Sequence, residues 1–112
     1  MKIRTSKLDG KTIVIEVEEG DEGPAVQMLS TRGHGYAVFG PNIIVPMAVI
    51  DGRIREELWC TENHMLAVEA HEIGHISTNS TDEPTAERAA ISLLEDNNFF
   101  PAACLLKERG VI

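Results

Sequence analysis

No stretch of the 112 residues approaches the roughly 20 consecutive apolar residues that a membrane-spanning helix needs. The opening residues Met1-Lys2-Ile3-Arg4-Thr5-Ser6-Lys7 carry no apolar signal region, so a cytosolic protein is expected. Cysteine is scarce: Cys60 and Cys104 are the whole supply, too few for a disulfide framework and expected as buried free thiols. Basic residues are also few, ten against 18 acids, and the formal charge of −8 argues against nucleic acid or an anionic membrane surface as a partner. Internal repeats and low-complexity segments are missing too. What remains is the composition of an ordinary globular chain, 43% hydrophobic and 25% charged, long enough for one core. A single domain, residues 1–112, is expected.

The first half reads as strands. Lys2–Leu8 and Lys11–Glu19 flank Asp9-Gly10, a two-residue turn signal that predicts a β-hairpin. Thr12 to Glu18 alternates as a strand with one buried face does. The five acids between Glu16 and Glu22 read as a solvated edge. Pro24 suits the first turn of a short helix to about Thr31, and Arg32 to Tyr36 a loop. Tyr36–Phe39 and Ile43–Ile50 read as strands either side of Gly40-Pro41-Asn42. Asp51-Gly52 predicts a second hairpin returning through Arg55, and Pro46, which cannot donate a ladder hydrogen bond, predicts an edge position for its strand.

The second half reads as helices. Thr61 is a good N-cap, and residues 62 to about 77 contain no proline and one glycine, Gly74. Gly74 is either tolerated at a cost of about 1 kcal/mol or needed for the close approach of another element. The small polar run Ser77 to Thr81 ends that helix. Asp82-Glu83-Pro84 opens a second one to about Leu94, and Pro101 starts a last helix, 102–109, capped by Gly110. Phe99 and Phe100 are expected as core anchors.

Within the first of these helices lies His71-Glu72-Ile73-Gly74-His75. At about 100° per residue, positions four apart share a face, so two imidazole nitrogens can meet one metal ion, expected to be Zn2+. Glu72 then stands beside the metal, where a carboxylate can take a proton from an attacking water. Two imidazoles are one ligand short of the usual three. Asp82, Glu83 and Glu87 are the only acids between His75 and Glu95. His34, Tyr36 and His64 are candidates for stabilising a developing oxyanion; His64, about 10 Å from His71 by helix rise, is too far to share its metal.

His71-Glu72-x-x-His75, followed after a turn by Glu83-x-x-Ala86-Glu87-x-x-Ala90, resembles the gluzincin group of zinc metallopeptidases, and within it the ImmA/IrrE family. The resemblance covers residues 66 to 96. It implies an α+β, zincin-like domain in which a small N-terminal, mostly antiparallel sheet packs on a central helix followed by C-terminal helices. It implies Glu83 as third ligand, Glu87 as a carboxylate supporting a histidine, and a peptide or protein as substrate. Pro84 pushes Glu83 toward a cap position, which keeps Glu87 a rival for the third ligand. Other readings of the same residues are hydrolysis of a non-peptide amide, or a non-catalytic metal-binding or assembly module of the phage-encoded kind. Oligomeric state is not legible in the sequence.

Overall fold

A computed structural model describes residues 1–108. The chain runs β1 (Lys2–Thr5), β2 (Ile13–Val17), α1 (Pro24–Arg32), β3 (Gly35–Val38), β4 (Met47–Asp51), a short 3-10 helix (Gly52–Glu56), α2 (Glu62–Thr78), α3 (Glu83–Asp96) and α4 (Phe100–Glu108). This is an α+β layout: a small N-terminal mixed sheet, then helices. None of the described helices is long and apolar enough to cross a membrane.

The strand order is β1-β2-β4-β3, with β1/β2 and β3/β4 antiparallel and β2/β4 parallel. Alternation along the strands sorts the two faces. Val14, Ala48 and Ile50 pack with Met65, Val68 and Ile76 of α2, whereas Val17, Val49, Tyr36 and Val38 pack with Leu29 of α1. Both faces are therefore covered, which is why β4 reads as an unbroken apolar run. The other side of α2 carries Ala67, Ala70 and Ile73 into a second core, where they meet Ala90, Ile91 and Leu94 of α3 and Leu106 of α4. The layers are thus α1, sheet, α2, then α3 with α4.

Several local expectations change. The β1–β2 hairpin closes through seven residues rather than two: Asp9 accepts from the backbone N–H groups of Lys11 and Thr12, both at 3.0 Å, and organises the loop. Asp51-Gly52 closes no hairpin. The Asp51 carboxylate accepts from Arg53 N at 3.1 Å and starts the 3-10 helix, and Gly52 packs where a Cβ would lie 2.7 Å from the Val17 carbonyl oxygen. Pro46 stands just outside β4, so its missing donor costs the ladder nothing, and β4 is interior; the edges are β1 and β3. Phe99 packs on the second core, but Phe100 is exposed. Both cysteines are free, Cys60 half-buried and Cys104 exposed rather than buried. The Gly110 cap lies outside the described residues.

α2 begins and ends as its residues dictate. Thr61 caps it, accepting from His64 N, while Thr61 N donates to His64 Nδ1 at 3.2 Å, a reciprocal box built on histidine. Asn79, at φ 49°, closes it in the left-handed conformation. Glu69 fastens it to β1, accepting from Arg4 Nη2 at 2.5 Å and from the Ser6 hydroxyl at 2.5 Å. Gly74 resolves in favour of close approach: a Cβ there would lie 2.2 Å from the Ala86 carbonyl oxygen, so α3 crosses α2 in direct backbone contact. That crossing brings the first turns of α3 over the histidines.

Candidate metal centre

Three ionisable groups within about one turn of α2, His71, Glu72 and His75, are all buried. Burial of such groups is costly without partners, and here the partners define a site. The imidazole centroids lie 4.8 Å apart with planes at 90°. His71 Nε2 is 2.8 Å from Glu83 Oε2, and His75 Nε2 is 3.1 Å from Glu83 Oε1. One carboxylate therefore spans the two nitrogens that face the cleft. Behind the rings, His71 Nδ1 meets the fully buried Glu87 carboxylate in a short contact, and His75 Nδ1 lies 2.7 Å from the Ser80 carbonyl oxygen. An acceptor at each Nδ1 favours the proton there, the tautomer in which each Nε2 could bind a metal ion at the shared point. One face of the His75 ring is closed by Phe39, stacked at 6.3 Å and 15°.

The donor chemistry fits a metal. Ligand atoms of His71, Glu72 and His75 lie within 4.8 Å of one another, a group that could hold a metal ion. Glu83 is the first residue of α3, and its side chain is 63% exposed, free to adjust to whatever lies between the imidazoles. Asp82 is committed elsewhere: its carboxylate caps α3, accepting from Thr85 N at 3.0 Å and from the Thr85 hydroxyl at 2.5 Å. Those hydrogen bonds, the hydroxyl first, hold the Asp82 carboxyl below its usual range. Cys60 is not among the clustered groups, and burial pushes its thiol pKa up.

The site opens into a cleft of about 410 Å³ between β3 and α2. Gly35 lies against the base of it: a Cβ there would be 3.2 Å from Glu72 Oε2 and 3.0 Å from Val68 Cγ1. Its φ is not left-handed, so this glycine answers close packing rather than turn geometry. His34 and Tyr36 both line the cleft. Tyr36 also packs in the cluster beneath α1, and burial raises its phenol pKa against the opposing charge of Arg32, so it stays a proton donor at neutral pH. His64 is not brought to the cleft: it sits in the cap of α2, edge-on to Trp59 at 5.7 Å. Trp59 reaches the cleft mouth through His34, 5.4 Å away. Ser80 acts through its main-chain carbonyl, which no side-chain pattern in the sequence marks. Comparisons of the chain with protein-family models, curated proteins and solved structures gave no match.

Proposed function

We propose that this chain is a zinc-dependent metallopeptidase, in which His71, His75 and Glu83 hold the metal and Glu72 is the general base. The observation that carries this is the convergence of two Nε2 atoms on one carboxylate, with each ring braced at Nδ1. Glu87, seated behind His71, then orients a ligand rather than serving as one. The motif resemblance of residues 66 to 96 supports the same division of roles.

Zinc, when bound, would supply Lewis acidity that polarises a carbonyl and eases deprotonation of water near neutral pH. The chain's own groups do the rest. Glu72 takes the proton of the attacking water and delivers it to the leaving amine nitrogen. The Tyr36 phenol, which stays protonated, and the His34 ring both line the cleft and are candidate donors to the developing oxyanion. β3 offers an open sheet edge over the cleft, and its residues Gly35-Tyr36-Ala37-Val38 bear no charge, unlike Lys2 and Arg4 on the opposite edge. A charged edge repels strand addition and an uncharged one admits it, so an extended peptide has a place beside Glu72.

The test is zinc content and affinity of the wild-type protein beside His71→Ala, Glu83→Ala and Glu87→Gln. Wild type should bind one zinc per chain and His71→Ala none. Glu83→Ala should lose most affinity, and Glu87→Gln should weaken it by about 10–100-fold while keeping the fold. Undiminished zinc binding by His71→Ala, or none by wild type, would overturn the reading.

A further inference from the structure

Gly35 marks where along β3 the chemistry would lie, because the space a Cβ would fill there abuts the Glu72 carboxylate. From that point the open edge runs one way only, through Tyr36, Ala37 and Val38. In the other direction the ladder stops at His34, whose carbonyl accepts from Asp51 N at 2.9 Å. Gly33, at φ 94°, then turns the backbone into α1. A peptide lying along β3 thus finds strand partners on one side of the bond next to Glu72 and a bare end on the other.

What occupies that bare end is Arg32. It is the one Lys or Arg that lines the cleft among the described residues, and it is exposed. Its guanidinium makes no ion pair with a described carboxylate; Arg4, Arg53 and Arg55 are each paired with an acid, while Arg88, Lys7 and Lys11 make no such pair either but line no part of the cleft. In a chain with 18 acids and ten basic residues, what sets Arg32 apart is its place at the cleft, available to a ligand's anion. Its place in the last turn of α1, next to Gly33, fixes its backbone at the mouth of the site.

We propose that the cleft selects peptides bearing a free carboxylate on the His34 side of the bond to be cut, and that Arg32 is the residue that recognises it. This rests on the peptidase reading of the same site. The guanidinium fork suits a carboxylate held by two parallel N–H donors. Either a C-terminal carboxylate or an Asp or Glu side chain supplies that group. A strongly acidic substrate is disfavoured at long range by the charge of −8, so one carboxylate placed at the guanidinium is the fitting form.

The experiment uses the zinc-loaded full chain and four matched peptides of one sequence: free C-terminus, C-terminal amide, amide with an internal Glu, and amide with Gln in its place. Cleavage is followed by mass spectrometry. Binding is followed separately in Glu72→Gln by the emission of Trp59, the single tryptophan, whose ring is 5.4 Å from His34. A carboxylate-bearing peptide should be favoured about fivefold over its neutral match, the scale of an exposed ion pair, and less so at high salt. Arg32→Gln should remove the preference and Arg32→Lys retain part of it. The peptide pair that shows the preference identifies the source of the carboxylate. Equal binding of charged and neutral peptides, a preference that survives in Arg32→Gln, or no peptide that alters Trp59 emission would each overturn the proposal. Carboxylate-dependent binding without cleavage would uphold it and remove the peptidase reading alone.

Discussion

Replacing Gly74 with alanine tests whether the α2–α3 crossing builds the site. The added methyl would lie 2.2 Å from the Ala86 carbonyl oxygen, and ordinary contact begins near 3.4 Å. The obstruction is backbone, so no side chain can swing aside, and α3 must retreat by about 1 Å. Overfilling of this kind costs about 1–3 kcal/mol, and the upper end applies because the retreat loosens Ala70 and Ile73 from Ala90 and Leu94. Alanine's better helix propensity returns about 1 kcal/mol. The net loss, about 2 kcal/mol, corresponds to a fall in Tm of about 8 °C for a domain of this size. Glu83 and Glu87 ride on α3, so zinc affinity should drop by about tenfold or more with the same substitution. Circular-dichroism melting of the metal-free protein gives the first quantity, and competition with a chelating indicator the second. A Gly74→Ala protein that melts no lower and binds zinc as tightly would refute the argument.

Two further outcomes follow from single groups. Glu72→Gln should keep zinc at wild-type affinity and lower peptide hydrolysis by about 10²–10⁴-fold, the scale of a lost general base, measured by turnover of a peptide that wild type cleaves. Asp82→Asn should destabilise the protein near neutral pH, because the folded state lowers the Asp82 pKa through its bonds to Thr85. That stabilisation is present above the ordinary carboxylate value and is lost as pH falls through the lowered one. The difference in Tm between wild type and Asp82→Asn should therefore shrink in acid; a gap that widens below pH 4 contradicts the sign.

Features encoded within a few residues were legible in the sequence. Thr61 announced the start of α2, Asp82 and Pro84 the start of α3, and the four-residue spacing placed His71 and His75 on one face. Features set by distant residues were not. Asp51-Gly52 carries a hairpin signal, but β4 has neighbours on both sides, β2 and β3, and no strand follows to close a hairpin. The parallel pairing of β2 with β4 joins segments separated by α1 and β3 and leaves no local mark. Glu69 reads as one acid among many until Arg4 of β1 and Ser6, just past the strand, reach it across more than 60 residues. His64 drew notice as a cleft candidate, yet it reciprocates the Thr61 cap, a task usually given to Glu or Gln. Around the histidines, the pairing of Glu83 with both Nε2 atoms depends on the depth of the α3 crossing, which Gly74 permits without specifying.

The two imidazoles are braced by unlike means, and they are exposed to unlike kinds of genetic damage. His71 leans on a side chain, so one codon change at position 87 can release it. His75 leans on the peptide carbonyl of Ser80, which nearly any amino acid at that position would reproduce. Its vulnerability is instead to reading length: a codon gained or lost between Asn79 and Asp82 would carry that oxygen away, whatever residues were spelled there.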